Sequence, residues 1–144
     1  MLDEDEYERW MATARITLES AINDLEGSFY NWTCFKAQQS AECAVKAILR
    51  GLGLPAYGHS ISRLVYEVSG RGVEASHEVV QASKTLDKYY VPTRYPNVWA
   101  EGSPADYYTR MDAEESIRMA KLIMRWVEGA WRSLRRESRE GLRP

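Results

Sequence analysis

Polar side chains with long reach recur at four-residue steps within the stretch from Trp32 to Leu52. Gln38, Glu42 and Lys46 are spaced i, i+4 and i+8, so a helix places them in one strip along its surface. A glutamate four residues before a lysine also forms a favourable helical ion pair. The strip forms either a solvated flank of the helix or the wall of a polar cleft, and the pattern favours the solvated flank.

A second set of candidate residues surrounds an arginine in a proline-containing stretch. Arg94 lies between Tyr90 and Tyr95, and His59 precedes the serine that opens an earlier helix. An arginine fork binds phosphate in bidentate fashion, and a tyrosine ring can stack on a base. The predicted nucleotide- or phosphate-binding residues are Arg94, Lys46, His59, Tyr95, Gln38 and Tyr90.

Each of these residues also has a purely structural interpretation. Arg94 could form an ion pair with Asp87 or Glu42. The tyrosines could pack with hydrogen-bonded hydroxyls, and His59 could simply begin a capped helix. The sequence leaves these alternatives open.

Other kinds of chemistry find little support. Two His and two Cys are too few for a closed zinc site unless carboxylates complete it, so we predict no metal and no cofactor. No Gly-x-Ser-x-Gly turn and no Cys–His motif indicates a nucleophile. Cys34 and Cys43 lie nine residues apart in one predicted helix, about 13 Å, which predicts two free thiols.

Bulk composition narrows the class of protein. A net charge of −2 is not that of a protein that binds nucleic acid over its whole surface. No apolar run approaches the length of a membrane span, and the acidic start MLDEDEYERW is not a signal peptide, so we predict a cytoplasmic protein without membrane contact. The arginine-rich segment 132–143 is interpreted as a solvated helix end and tail.

Apolar periodicity and breakers define the elements that must position these residues. Stripes at three- and four-residue steps predict helices over residues 2–26, 32–52, 59–69, 73–90 and from Ser103 to about Arg135. Residues 91–103 hold two prolines and a glycine but also Tyr95 and Trp99, which indicates an ordered loop. We therefore predict an all-α fold, an antiparallel up-and-down bundle of four to five helices, as one domain over 1–135 with a charged tail over 136–144.

Four segments in this order resemble one family. They are AQQSAECAVKAIL at 37–49, GHSISRL at 58–64, LDKYYVPTRYPN at 86–97, and the helix beginning DAEESIRMA at 112–120. Together, over roughly residues 5–132, they resemble the HEPN domain. The resemblance implies a four- to five-helix bundle that is often dimeric. It also implies a minimal nucleotidyltransferase as partner in a toxin–antitoxin-like pair, in which the HEPN half is a metal-independent ribonuclease.

The ribonuclease members of that family carry an Arg followed after four to six residues by a His. In that chemistry the His moves a proton of the RNA 2′-hydroxyl and the Arg offsets charge on the phosphate. None of the residues from Tyr95 to Ala100 after Arg94 is a His. Arg71 and His77 fit the spacing, but at a glycine-rich break rather than at the family's position.

This departure favours a binding protein over an enzyme. The sequence predicts a HEPN-type nucleotide- or RNA-binding homodimer that partners a small nucleotidyltransferase. Five tryptophans in 144 residues favour a dimer, because a small core does not hide so much aromatic surface. A metal-independent endoribonuclease using His59 or His77, and a dimeric scaffold without a ligand, remain as alternatives.

Overall fold

A computed structural model describes residues 1–141 as five α-helices and two short 3₁₀ turns. The helices are α1 (Glu4–Glu26), α2 (Tyr30–Gly51), α3 (Ile61–Ser69), α4 (His77–Asp87) and α5 (Arg110–Gly141), and the turns are Pro96–Val98 and Pro104–Asp106. No strand occurs over these residues. The predicted all-α bundle is confirmed.

Helix α2 is the centre of the bundle, and it packs against all four other helices. Its alanines allow this close approach, because Ala37, Ala41 and Ala44 are fully buried and present only a methyl group to their neighbours. Larger side chains such as Ile48 and Ile123 fill the remaining core. The alanine stripe seen in the sequence is therefore the surface on which the other helices pack.

The end of α2 shows how tightly the helices meet. The rings of Tyr7 on α1 and Trp131 on α5 stack with centroids 4.1 Å apart. A Cβ added to Gly51 would lie 2.5 Å from the indole of Trp131. Position 51 therefore has no space for a side chain while this stacked pair is in place.

Helix α4 is shorter than the sequence predicts. It begins at His77 rather than Val73, because Ser76 accepts a hydrogen bond from Val79 N (3.2 Å) and forms the cap. It ends at Asp87 rather than Tyr90. The backbone N–H groups of Lys88 and Tyr89 donate to the carbonyls of Thr85 and Leu86, three residues back, and this tighter pattern closes the last turn.

Helix α5 begins seven residues later than predicted. Ser103 does form a capping box with Asp106, but it caps only the turn Pro104–Asp106. A second reciprocal cap, between Thr109 and Asp112, then starts the long helix. The helix continues through residue 141, beyond the predicted end near Arg135, and residues 142–144 of the predicted tail lie outside the described residues.

Residues 91–103 form an ordered loop, as predicted, held by buried polar contacts. Trp99 Nε1 donates to the carbonyl of Pro92 (2.9 Å), and Asn31 Nδ2 on α2 donates to the carbonyl of Thr93 (3.0 Å). The ring of Trp99 stacks on that of Tyr107. The loop is thereby attached to the first half of α2. None of the helices in the described part of the chain is long and apolar enough to cross a membrane.

Candidate functional site

The polar strip on α2 is buried, so the prediction of a solvated flank is wrong. Gln38, Glu42 and Lys46 have exposed fractions of 0%, 4% and 7%. Glu42 accepts hydrogen bonds from Gln38 Nε2 (3.3 Å) and Lys46 Nζ (3.1 Å), and His59 Nδ1 lies 3.2 Å from its carboxylate. The segment before α3 covers this side of α2, which the sequence pattern does not reveal. The strip is a buried polar network that includes His59.

His59 lies at the edge of this polar network, and contacts of its own carbonyl and of the start of α3 hold it there. Gln38 Nε2 donates to the His59 carbonyl (3.1 Å). The carboxylate of Asp87 accepts the backbone N–H groups of Ile61 (2.6 Å) and Ser62 (3.1 Å), which anchors the start of α3. The His59 side chain is 55% exposed, and its Nδ1 faces Glu42. Nε2 makes no hydrogen bond within residues 1–141, so it is open to a ligand.

Arg94 lies in a cage of aromatic rings. Its Cζ is 4.5 Å from the ring centroids of both Phe35 and Tyr90, and 4.9 Å from that of Tyr95. Nε donates to the Tyr90 carbonyl (2.8 Å), and Nη1 lies 3.4 Å from the Tyr95 hydroxyl. These contacts fix the plane of the guanidinium group.

The guanidinium charge of Arg94 is not neutralised by a carboxylate. None of the ion pairs among the described residues includes Arg94, so the expected alternative of a pair with Asp87 or Glu42 is not observed. Asp87 is used by the start of α3, and Glu42 is used by Lys46 and His59. Aromatic faces stabilise a cation without cancelling its charge, so Arg94 retains its attraction for an anion.

One aromatic ring connects the two halves of this region. The ring of His59 stacks on that of Tyr90 with centroids 4.4 Å apart, and Arg94 lies over the same ring. The buried polar strip and the arginine cage are therefore connected through His59 and Tyr90. Four of the six residues predicted from the sequence reach the surface here and form what we call the Arg94 site: His59, Tyr90, Arg94 and Tyr95. The other two, Gln38 and Lys46, are buried as partners of Glu42 and do not face a ligand.

Sequence reasoning missed the role of Phe35. Its ring forms one wall of the cage, and Trp32 packs edge-on against it at 6.2 Å. Phe35 lies three residues before Gln38, so the helical spacing that identified the polar strip could also have found it. Its partner Arg94 is 59 residues away in the chain, and the spacing does not indicate that contact.

A second aromatic cluster packs against the loop of residues 91–103 through Trp99. Tyr108 packs edge-on against Tyr89 and Trp99. Burial raises the pKa of Tyr108 to about 12, and burial also raises the pKa of the nearby Cys34 thiol to about 12. Both groups therefore stay protonated at neutral pH, and both cysteines are free thiols as predicted. This cluster is structural support and offers no nucleophile.

The exposed side chains of His59 and Tyr95 open the Arg94 site to solvent, and the site lies apart from two depressions of the surface. A depression of about 640 Å³ lies between α3 and α4, beside Tyr66 and Lys84, and one of about 420 Å³ lies beside Arg71 and Trp126. Residues of the Arg94 site line neither depression. An open site with exposed rings suits a ligand that extends beyond it, such as a nucleotide within a chain.

The second arginine–histidine pair is placed elsewhere. Arg71 is exposed in the turn after α3, and His77 is the exposed first residue of α4. Among the contacts of residues 1–141, no hydrogen bond or ion pair joins them to each other or to the Arg94 site. Over the same residues, no three His, Cys, Asp or Glu side chains are grouped so that they could hold a metal ion.

Comparisons with known proteins agree with this architecture. A family model described as HEPN domain matches residues 7–130. A protein from Thermus thermophilus is 40% identical, with 86% of this chain and 97% of that chain covered and a TM-score of 0.84. An archaeal HEPN homologue is 41% identical (85% and 95% covered, TM-score 0.72). A HEPN domain protein from Thermotoga maritima is 37% identical (84% and 95% covered, TM-score 0.69). No curated protein sequence matches the chain.

Proposed function

Because the chain belongs to the HEPN domain family, we propose that it is a nucleotide- or RNA-binding helical-bundle protein that holds a phosphate at Arg94. The observation that carries this proposal is the guanidinium of Arg94, fixed among three aromatic rings and without a carboxylate partner. A fixed and unneutralised guanidinium is a strong binding group for phosphate.

The geometry of the cage defines how a phosphate approaches. Nε of Arg94 is bonded to the Tyr90 carbonyl, so the free edge of the fork is the one that carries Nη1 and Nη2. Tyr95 exposes 47% of its surface beside this edge, which supports stacking with a base next to the bound phosphate. The ring of His59 stacks on that of Tyr90, and its Nε2 offers a further hydrogen bond to a ligand.

Titration with ATP and with a short labelled RNA at low salt tests the proposal. We expect Arg94→Ala to weaken binding roughly 10- to 100-fold, because each charge-assisted hydrogen bond contributes about 1.5–3 kcal/mol. Arg94→Lys keeps the charge but loses the planar fork, so it should restore affinity only in part. Arg63→Ala, which removes an exposed arginine of α3, is the matched control. Absence of saturable binding, or equal binding by Arg94→Ala, would refute the nucleotide claim.

We further propose that the protein acts as a homodimer and as the partner of a minimal nucleotidyltransferase in a toxin–antitoxin-like pair. Exposed apolar side chains at the start of α2, Phe29 (58%) and Trp32 (41%), support an interface between protein chains. Light scattering over a range of concentrations tests the dimer, and a monomer at every concentration would exclude it. A neighbouring gene with a Gly-Ser…Asp-x-Asp nucleotidyltransferase pattern would support the partnership.

The position of His59 favours one second candidate, a metal-independent endoribonuclease. With its proton on Nδ1, His59 donates to Glu42 and presents Nε2 as a base, while its ring contacts the same tyrosine as Arg94. Nε2 would take the proton of an RNA 2′-hydroxyl, whose oxygen attacks the adjacent phosphorus. The bond from phosphorus to the 5′-oxygen breaks, and this oxygen takes a proton from water, while His59 returns its proton to solvent. The products are a cyclic 2′,3′-phosphate and a 5′-hydroxyl.

Cleavage assays in the presence of a metal chelator distinguish the two candidates. The endoribonuclease predicts cleavage that is lost in His59→Ala and kept in the matched control His77→Ala. No cleavage by the unmodified protein, or cleavage that His59→Ala retains, would exclude this role for His59. A dimer that shows neither binding nor cleavage would instead be a scaffold without a ligand.

A further inference from the structure

The outer face of α5 carries a row of cations that the proposed function does not use. All six are exposed: Arg118, Lys121, Arg125, Arg132, Arg136 and Arg139. At 100° per residue they fall within about 60° of arc, and the row is about 32 Å long. We call these six residues the basic face.

The charge of this segment is opposite to that of the rest of the chain. Residues 118–139 hold seven Lys and Arg and two Glu, a net charge of +5, in a chain whose net charge is −2. Among ion pairs of the described residues, only one member of the basic face has a carboxylate within 4 Å: Arg118, paired with Glu115 at 3.3 Å. A concentrated and unpaired positive charge on one helix attracts a polyanion.

The acids nearest the basic face are directed elsewhere. Glu114 pairs with Arg110 (2.7 Å), and Glu128 lies 4.0 Å from Arg15 on α1. Glu137 lies about 100° or more around α5 from the row, in the lining of the depression beside Trp126. Glu128 and Glu140 lie about 20° and 40° outside the arc of the six cations, so these two acids border the basic face without lying within it.

Depressions flank the basic face on both sides of Arg125. One of about 310 Å³ is lined by Leu25 and Ile117, by the acid Glu114, and by the cations Arg118 and Lys121. The other, of about 420 Å³, is lined by Trp126 among others, and Arg125 borders both. The surface therefore combines a straight row of cations with space beside it for sugars and bases.

Gly129 has no side chain and lies beside the middle of the basic face. A Cβ added to Gly129 would meet only Nη2 of Arg132, at 3.8 Å, so neither packing nor backbone geometry requires glycine there. A glycine inside a helix costs about 1 kcal/mol relative to alanine. Its effect here is to leave the space between Arg125 and Arg132 open.

The composition of the basic face selects the kind of partner. No large apolar residue of α5 is exposed between positions 118 and 139, and Met111 lies outside the row. Membrane-surface helices and protein interfaces both use apolar anchors, whereas nucleic-acid interfaces are polar and strongly positive. Five of the six cations are arginines, whose forks match phosphate oxygens. The two strands of a duplex would call for two rows of cations, and the basic face is one row.

We propose that the basic face of α5 binds the phosphodiester backbone of a single nucleic-acid strand. This surface is separate from the Arg94 site and does not depend on it. The contacts are to phosphates, so binding is independent of base sequence and strongly dependent on salt. Six phosphate contacts on a single strand give a slope of log K against log[salt] of about −4.

The test compares two triple variants that lose the same charge. Arg125→Gln/Arg132→Gln/Arg136→Gln removes half of the basic face. Arg9→Gln/Arg63→Gln/Lys84→Gln removes three exposed cations elsewhere and is the matched control. Binding of a labelled oligoribonucleotide and of the corresponding deoxyribonucleotide is measured over about 50–200 mM salt.

We expect the basic-face variant to bind both oligonucleotides roughly 100-fold more weakly near 0.1 M salt and to reduce the slope to about −2. The control variant should keep the slope of the unmodified protein. Equal behaviour of the two variants would overturn the proposal. A second outcome would also overturn it. If the unmodified protein binds phosphatidylserine vesicles but neither oligonucleotide, and the basic-face variant no longer binds the vesicles, the basic face binds a membrane surface.

A parallel titration with ATP separates this proposal from the proposed function. A mononucleotide cannot span the row, so its binding reports on Arg94 alone. Loss of oligonucleotide binding in the basic-face variant without any ATP binding supports the basic face and refutes nucleotide binding at Arg94. The opposite outcome is ATP binding that Arg94→Ala abolishes, together with equal oligonucleotide binding by both triple variants. That outcome supports nucleotide binding at Arg94 and refutes binding at the basic face.

Discussion

Removing the carboxylate of Glu42 should unfold this protein at a much lower temperature. Glu42 is 4% exposed, and its carboxylate is the partner of Lys46, which is 7% exposed. Glu42→Ala leaves the ammonium of Lys46 buried without a counter-charge. It also leaves Gln38 and His59 without their acceptor.

The magnitude follows from this burial. Breaking a buried ion pair by removing one partner costs about 3–5 kcal/mol. A chain of 144 residues has an unfolding entropy of about 0.3 kcal/mol/K, so the expected decrease in Tm is about 10–17 °C. Replacing both partners, as in Glu42→Met/Lys46→Met, removes the charges together and should cost much less than Glu42→Ala.

Thermal and denaturant unfolding followed by far-UV circular dichroism at neutral pH measure these differences. The matched control is Glu115→Ala, which breaks an exposed pair with Arg118 and should change stability by no more than about 0.5 kcal/mol. A loss below about 1 kcal/mol in Glu42→Ala, or a double variant as unstable as the single one, would contradict the description of this pair as buried and mutually dependent.

Three further outcomes are expected. Gly51→Ala should destabilise the protein by about 1–3 kcal/mol in denaturant unfolding, because the new methyl group overlaps the indole of Trp131. Gly129→Ala is the control and should stabilise the protein by up to about 1 kcal/mol. Equal effects of the two substitutions would contradict the packing at position 51. Cys34 has an ordinary pKa of 9.0 that burial raises to about 12, so the unfolded chain loses this proton first as pH rises. Cys34 should therefore contribute a fall in stability of about 1.4 kcal/mol per pH unit between those values, beside the contribution of Cys43, whose pKa burial raises to about 11. Cys34→Ala should reduce the measured slope by that amount, and an unchanged slope would exclude a contribution from this thiol. Asp87→Ala should cost about 2–4 kcal/mol because the start of α3 loses its anionic acceptor, and Asp87→Asn should cost less, as measured by thermal unfolding; an equal loss in both would show that the charge does not contribute.

Much of the fold follows from local patterns in the chain. The alanine stripe on α2 and the regular stripe of α5 predict two long helices, and Ser60 caps α3 where the sequence places a helix start. Sequence reasoning misses the late start of α5 because two good caps, at Ser103 and Thr109, compete over a few residues. A local rule recognises each cap, but not which of them begins the long helix.

The candidate site shows the limit of such reasoning. Residue types alone identified Arg94, its neighbouring tyrosines and His59 as groups that could hold a phosphate. Spacing placed Gln38, Glu42 and Lys46 on one side of a helix but could not say whether water or protein covers that side. That depends on how the segment before α3 crosses α2, which is a contact between elements distant in the chain.

The helical class, the order of the helices and the residue types available for binding follow from the amino-acid sequence, because periodicity and capping act over a few residues. The contact of Arg94 with Phe35, and those of His59 with Glu42 and Tyr90, arise from the packing of the helices. Burial and contact depend on which surfaces meet when the bundle closes, and residues far apart in the chain make those choices together.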